Sequence, residues 1–251
     1  MKEFNGLTRR SLLAGAMPAL AIFALLGHAK SAGAAARRMA PQHWIDQQQE
    51  MADALATGQI PPEQWCSEVE ALSAQVDLAG LLAMANQAAE DGTRPAGSND
   101  PEKRVVHFAS MERLSYNAAL LSFSPENVIT PRAHRNMVSA LLVVEGTVRI
   151  RTFERVRDEK NGIVIKQAGD AAAGAGGICT MCADHHNVHW LTPQGGPATI
   201  LEVAIDGLSA QGAPYEITPL DPLGGKHLRD GSILAPIMGF DAAAAKYTAD
   251  I

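Results

Sequence analysis

Histidines are the residues of this chain with the clearest capacity for chemistry, and four of them lie in two short segments. His134 stands in the first segment, and His185, His186 and His189 stand in the second. Neutral imidazole is the commonest metal ligand in proteins, and a β-barrel brings strands that are distant in sequence together. The pattern therefore predicts a metal site, or a site for a small ligand at the same barrel mouth.

Short strands must position these histidines. After Pro101 the sequence changes to β-rich runs separated by turn residues, which favours a β-sandwich or a small barrel. Glu145-Gly146 predicts a tight hairpin, Gly169-Asp170 predicts a second turn, and residues 171–177 predict a loop. The tail past Gly207, with several Pro and Gly residues, predicts a loop or a wrapping arm. The predicted strands are Val105–Phe108, Tyr116–Phe123, Met137–Val144, Thr147–Phe153, Gly162–Ile165, Ile178–Cys182, Val188–Leu191 and Ala198–Ile205.

A helical piece precedes these strands. Helical periodicity runs from Pro41 to about Glu90, and a Gly/Pro/Asp linker follows it. We therefore expect residues 37–100 to form a helical segment with a linker, and residues 101–251 to form the β barrel with its C-terminal arm. The apolar stripe of the second helix consists of Trp65, Val69, Leu72 and Val76.

The first 36 residues are typical of an export signal. Arg9 and Arg10 precede an apolar run that ends in small residues, and residues 32–36 contain two A-x-A cleavage patterns. The run is shorter than the roughly 20 strongly apolar residues of a membrane span. The pattern predicts a twin-arginine signal peptide over residues 1–36, with the export machinery as a partner and a periplasmic or secreted mature protein. An ordinary secretory signal and an uncleaved anchor are the alternatives.

The composition excludes several classes of protein. The chain has 251 residues, of which 47% are hydrophobic and 19% charged, which argues against a disordered protein. The 21 basic and 27 acidic residues give a formal charge of −6, which argues against a nucleic-acid-binding protein. Three cysteines are too few for a disulfide scaffold. We therefore expect a globular protein, and the predicted partner is the small molecule that would bind at the barrel mouth.

Two segments resemble the motifs of a known family. The first is ENVITPRAHRNMVSALLVVEGTVRIRTFERV at residues 126–156. The second is GD at 169–170 followed by HHNVHWLTPQGGPATILEV at 185–203. Together they resemble the cupin thiol dioxygenases of the cysteamine dioxygenase and plant cysteine oxidase type, with their bacterial relatives. The resemblance implies a mainly β fold, the cupin double-stranded β-helix, holding one non-haem Fe(II) through three histidines.

In that family an H-x-H pair in the first motif and one histidine in the second hold the iron. His134 matches the second histidine of the pair and His189 matches the histidine of the second motif, but Arg132 stands in place of the first. Many cupins add a glutamate four or five residues after the pair. This family does not, and Val138 and Ser139 stand at those positions.

Arg132 is the feature that limits the iron hypothesis. Residues i and i+2 of a strand face the same side, so Arg132 is expected in the same pocket as His134. A guanidinium has no lone pair and stays protonated, so it cannot replace the ligand. Three interpretations remain open. His186 supplies the third bond through a bulge before Val188, iron is held by two histidines with water and substrate, or the metal is lost and Arg132 binds an anion.

A C-x-x-C pair, Cys179 and Cys182, lies beside the second histidine segment. With His185, His186 and His189 these thiols could form a zinc site, which makes zinc the alternative to Fe(II). A Cys179–Cys182 disulfide after export is a second interpretation. A third is that both residues are small buried hydrophobes on a strand.

Two hypotheses of function follow. The first is an exported Fe(II) oxygenase that resembles the thiol dioxygenases. There the iron binds a substrate thiolate, both oxygen atoms go to sulfur to give a sulfinate, and Arg132 pairs with a substrate carboxylate. The second is a non-catalytic cupin binding protein with a degenerate metal site, which binds a small anionic ligand through Arg132. Metal content discriminates between the two.

Overall fold

The computed structural model describes residues 38–94, 99–108, 116–183, 185–208 and 215–249. The expected twin-arginine signal lies outside these residues and stays a prediction. Within the described ranges, no helix is both long enough and apolar enough to cross a membrane.

Short helices flank a set of strands. The helices are α1 (Pro41–Ala56), α2 (Pro62–Ser73), α3 (Leu78–Ala88) and α4 (Phe240–Lys246). The strands are β1 (Glu102–Val106), β2 (Asn117–Phe123), β3 (Ile129–Arg135), β4 (Met137–Glu145), β5 (Thr147–Glu159), β6 (Gly162–Gly174), β7 (Ile178–Met181), β8 (Val188–Pro193), β9 (Ala198–Asp206), β10 (Glu216–Pro219), β11 (Lys226–His227) and β12 (Ile233–Ala235).

The strands form two antiparallel sheets, ordered β1-β2-β9-β4-β7 and β10-β3-β8-β5-β6-β12-β11. Strand β2 pairs with β9, β3 with β8, β4 with β7 and β5 with β6, so the central eight strands are nested pairs folded into two sheets. That nesting is the jelly-roll order of the cupin double-stranded β-helix. The predicted fold class, mainly β and preceded by an α-helical N-terminal segment, is confirmed.

Successive residues along the strands of the first sheet point alternately into two different hydrophobic cores. Leu142 and Leu201 join the cluster that contains the helices, whereas Leu141 and Ile200 join a cluster with Leu191 of the opposite sheet. Successive residues of a strand face opposite sides, so one face of the sheet is covered by helices and the other faces the barrel interior. The interior face of β8 therefore carries Leu191 and, two residues earlier, His189.

Three of the four residues of the predicted stripe lie in α2, whereas Val76 lies beyond the end of the helix at Ser73. Trp65, Val69 and Val76 are fully buried, and Leu72 is partly buried against the same cluster. Helix α2 begins at Pro62, where the missing N–H leaves no intrahelical hydrogen bond unmade. The segment therefore covers the outer face of the first sheet.

The predicted hairpin at Glu145-Gly146 is wrong. Strand β4 belongs to the first sheet and β5 to the second, so Gly146 carries the chain across between sheets. Its φ is +74°, and a Cβ there would lie 2.4 Å from the carbonyl oxygen of Pro197. This crossing requires glycine because any side chain would clash with the backbone.

The predicted turn at Gly169-Asp170 and most of the loop at 171–177 are also wrong. Strand β6 continues to Gly174, with Asp170 opposite Arg151 and Ala171 opposite Ile150. Pairing with the long strand β5 satisfies the backbone of this segment and outweighs the low strand propensity of Gly and Ala.

Strand β3 was missing from the predicted set because it contains Pro131. Its register with β8 shifts between Ile129 and Arg132, and the carbonyl of Pro131 accepts a hydrogen bond from the Leu220 amide. An irregular register accommodates a residue without an N–H inside a sheet.

The C-terminal arm wraps the second sheet. Strand β10 extends it beside β3, and β12 extends it beside β6. Tyr247 packs edge-on against Trp190 at a centroid distance of 5.1 Å, and its hydroxyl donates to Asp221 Oδ1 at 2.7 Å. Residues 215–249 therefore extend the second sheet at both of its edges.

The contact between the helices and the first sheet gives a prediction of stability. Leu142→Ala removes a side chain that is 2% exposed, and we expect a loss of about 2–5 kcal/mol in the free energy of unfolding. Leu223→Ala, at a site that is 54% exposed, is the matched control and should change it by less than about 0.5 kcal/mol. Urea unfolding measures both, and equal losses would contradict the assigned core.

Candidate functional site

Strands β3 and β8 bring His134 and His189 together, as predicted. Their ring centroids are 4.5 Å apart and each residue is 4% exposed. Arg132 lies opposite His189 in the register, and opposed residues of an antiparallel pair share a face. Because His189 shares its face with the interior residue Leu191, these side chains belong to the barrel interior.

Arg132 is held by a carboxylate. Its guanidinium forms an ion pair with Asp100, with Nη2 donating to Oδ1 and Nη1 donating to Oδ2 at 3.4 Å. Its Nε donates to the carbonyl of Thr130 at 3.2 Å. The two charged side chains are 11% and 21% exposed, so the pair is largely shielded from solvent. The residue that stands in place of the first histidine of the resembled motif is therefore held in an ion pair.

Asn187 ties the two histidine strands together. Its Nδ2 donates to the carbonyl oxygens of His134 at 2.8 Å and Cys182 at 3.3 Å. The His134 amide donates to the Asn187 carbonyl at 3.2 Å. These bonds fix the start of β8 against the end of β3.

Some buried polar atoms at this end of the barrel have no hydrogen-bond partner among the described residues. They are His189 Nδ1, Asn187 Oδ1 and Ser139 Oγ. Ser139 lies two residues before the interior residue Leu141 in β4, so its side chain is on the interior face of the first sheet. All lie close to the β3–β4 and β7–β8 connections. A buried polar atom without a partner is costly, so these atoms mark a place where water or a ligand would supply hydrogen bonds.

Burial keeps both imidazoles neutral. Desolvation, followed by the nearby charge of Arg132, lowers the pKa of His134 to about 3. Desolvation also lowers the pKa of His189 well below its ordinary value, with further contributions from His134 and Arg132. At neutral pH each ring therefore offers one N–H donor and one lone pair.

His186 does not join His134 and His189. It lies with Glu154 and His185, and the ligand atoms of these three lie within 4.8 Å of one another. No group that combines His134 and His189 with a third His, Cys, Asp or Glu meets this distance in the described ranges. The bulge that would turn His186 inward is not formed. Instead His186 itself has a left-handed backbone conformation, with φ of +47°.

The cysteines lie in two different cores. Cys179 packs between the sheets, whereas Cys182 packs on the helix-covered side with Cys66 of α2. No disulfide joins any two of these cysteines. Burial raises the pKa of Cys179 to about 12. The interpretation of a Cys179–Cys182 disulfide does not hold, because Cys179 in β7 faces the core between the sheets and Cys182, just beyond β7, faces the helix-covered core.

Two of the residues that matter here escaped the sequence analysis. Asp100 lies in the predicted linker, and its partner Arg132 is far along the chain. Glu154 stands in the quoted first motif, but its place beside the β7–β8 connection follows from the pairing of β5 with β8, in which Phe153 lies opposite Val188. No local signal marks either carboxylate.

Comparison with known proteins supports no assignment finer than the fold. No protein-family model and no curated protein matches the chain. KdgF from Halomonas sp. is 14% identical over 46% of this chain and 84% of its own, with a TM-score of 0.33. The 7S globulin of Momordica charantia is 17% identical over 54% of this chain and 36% of its own, with a TM-score of 0.38.

A cupin superfamily protein from Desulfitobacterium hafniense DCB-2 is 12% identical over 45% of this chain and 84% of its own, with a TM-score of 0.30. These similarities are too low to support an argument about function. The fold assignment therefore depends on the strand order of this chain, and the thiol dioxygenase resemblance depends on its sequence motifs alone.

The neutral imidazoles predict a pH dependence of stability. His134 has an ordinary pKa of 6.5 and a folded-state pKa of about 3, so below pH 6.5 the unfolded chain binds a proton that the folded chain excludes. Its contribution to stability is present above pH 6.5 and is lost as the pH falls toward 3. We expect each such histidine to contribute up to about 1.4 kcal/mol per pH unit.

Urea unfolding of the metal-free protein at pH 7, 6 and 5 measures this slope. His134→Gln should make it shallower, whereas His227→Gln, at an exposed site, should leave it unchanged. An unaltered slope in His134→Gln would show that the ring is protonated in the folded protein.

Proposed function

We propose that this protein is a cupin-fold binding protein that holds a small polar molecule in its barrel and lacks the three-histidine iron centre of the thiol dioxygenases. The proposal is carried by one observation, the Arg132–Asp100 ion pair at the position of the first iron ligand. Of the two hypotheses drawn from the sequence, this proposal is closer to the non-catalytic cupin binding protein with a degenerate metal site.

The residues present do not fit the three-histidine centre that the resemblance implies. His134 and His189 provide two neutral imidazoles, but the third position holds a guanidinium without a lone pair. His186, the proposed replacement, lies in the separate group with Glu154 and His185. We therefore derive no step through iron.

The ligand is expected to contact the imidazoles directly. Asp100 already neutralises Arg132, so an anion would have to displace a carboxylate before it could bind there. By contrast His189 Nδ1, Asn187 Oδ1 and Ser139 Oγ are buried without partners among the described residues. A small uncharged molecule that carries both donors and acceptors would satisfy them.

One observation favours the Fe(II) thiol oxygenase as a second candidate. Two neutral imidazoles with centroids 4.5 Å apart, one with an unpartnered Nδ1, retain two ligands of the family's set. Open positions around a metal suit oxygen chemistry, although two protein ligands bind weakly. Metal loading separates the candidates.

After anaerobic loading with Fe(II) and desalting, we expect the protein to hold less than about 0.1 iron per chain. We also expect no oxygen uptake and no sulfinate with cysteine, cysteamine or 3-mercaptopropionate. Stoichiometric iron together with a sulfinate product would overturn the proposal. The double variant Arg132→His/Asp100→Asn is the positive control, because it restores the imidazole and removes the carboxylate. It should retain iron, whereas Arg135→His, at an exposed position, should not.

Ligand binding is tested by a thermal-shift screen of small polar metabolites. A compound that binds in the barrel should raise the Tm of the wild type and lose at least about tenfold in affinity in His189→Leu, because the variant removes both ring nitrogens. His227→Gln, at an exposed site, is the control and should bind normally. Equal affinity in His189→Leu would place the ligand elsewhere.

Export through the twin-arginine route remains part of the proposal. It is supported by Arg9, Arg10 and the A-x-A patterns of residues 32–36. The mature protein would then meet its ligand in the periplasm or outside the cell, without a stable membrane span. Replacing both arginines by lysine should retain the precursor in the cytoplasm if that route is used.

A further inference from the structure

A second cluster of ligand-type side chains lies at the connection between β7 and β8, apart from the proposed barrel ligand. It consists of Glu154 from β5 and of His185 and His186 from the connection. Their ligand atoms lie within 4.8 Å of one another, and each residue is partly exposed. The proposed function does not use these side chains.

We propose that Glu154, His185 and His186 bind a divalent transition-metal ion, with two imidazole nitrogens and one carboxylate oxygen as ligands. Such a mixed set suits ions of intermediate softness such as Zn²⁺. Three protein ligands leave at least one position for water or for a bound molecule. The site would therefore be open to exchange, unlike a four-ligand structural zinc site.

The carboxylate of Glu154 is already oriented for this role. Its Oε2 accepts a hydrogen bond from the His186 amide at 3.1 Å, and its Oε1 lies 3.8 Å from His185 Nδ1. Two ligand atoms on one tetrahedral Zn²⁺ lie roughly 3.3–3.6 Å apart, given bonds of about 2.0–2.2 Å. The separation between oxygen and nitrogen is thus close to that of a coordinated pair before any ion is bound.

The backbone places the two imidazoles on the same side. Neighbouring residues of an extended strand point to opposite faces, which would separate His185 from His186. Here His186 has φ of +47°, a left-handed conformation that is uncommon outside glycine. The two ring centroids are consequently only 3.7 Å apart, with 35° between the ring planes.

One imidazole nitrogen of the cluster is buried without a partner. His186 Nδ1 has no hydrogen-bond partner among the described residues. An unpartnered buried nitrogen, an uncommon backbone conformation and an oriented carboxylate occur at one point. The three features coincide in neighbouring residues, and a bound metal ion would give the unpartnered nitrogen its partner.

Isothermal titration of the chelator-treated full chain with ZnCl₂ tests the proposal. We expect one Zn²⁺ per chain in the wild type, and at least about tenfold weaker binding in both Glu154→Gln and His185→Gln. Glu159→Gln on the same strand and His227→Gln at an exposed site are the matched controls and should bind as the wild type does. Thermal unfolding checks that each variant is folded.

Three results would overturn the site. The first is the absence of stoichiometric binding in the wild type, and the second is equal binding in all variants. The third is loss of binding in His134→Gln and His189→Gln while Glu154→Gln binds normally, which would place the ion in the barrel. Substitution by Co²⁺ gives a second readout. Thiolate charge-transfer absorption would indicate cysteine ligands and contradict the proposal, whereas d–d bands without it are expected.

The proposal is independent of the barrel ligand and can fail separately from it. Failure of Zn²⁺ to bind would leave the thermal-shift result in His189→Leu unchanged. Conversely, a barrel without a ligand would leave the titrations of Glu154→Gln and His185→Gln unchanged.

Discussion

The pairing of β3 with β8 is the constraint on which the histidine chemistry of this protein depends. The register places Arg132 opposite His189, and Asn187 bonds to the backbone of His134 from the neighbouring position. Nested pairing, in which β2 to β5 meet β9 to β6 in reverse order, makes this register a consequence of the whole jelly roll. A slip of one residue would turn the histidines out of the barrel, so the fold and the site are specified together.

The Arg132–Asp100 pair changes what the barrel can bind. An unpaired guanidinium beside two imidazoles would disfavour a cation strongly and would attract an anion. Asp100 offsets that charge in a largely shielded pair, where leaving either partner alone would be costly. The interior is thus left with neutral hydrogen-bonding groups, and burial lowers the pKa of both histidines so that they remain neutral. Such a site favours hydrogen bonding over ionic attraction.

The parts of the structure that follow local rules could be predicted from the sequence, and those that depend on long-range register could not. Alternation located most strands, and helical periodicity located the stripe that contains Trp65. The motif spacing brought His134 to His189. By contrast, the sequence Glu145-Gly146 is typical of a hairpin turn. The chain instead crosses between the sheets at Gly146, because the partners of β4 and β5 are remote in sequence. Asp100 and Glu154 reach their sites through equally remote contacts.

His186 shows why one backbone conformation separates two sites at the same end of the barrel. With an extended backbone, alternation would have put His185 on the interior face with His189 and sent His186 to the opposite face. The left-handed φ at His186 instead keeps both rings together beside Glu154. The interior then holds neutral groups near Arg132, whose charge is balanced by Asp100. The β7–β8 connection instead holds two imidazoles near the carboxylate of Glu154. The first environment suits an uncharged polar molecule. The second suits a cation, because the carboxylate of Glu154 lies beside its two imidazoles.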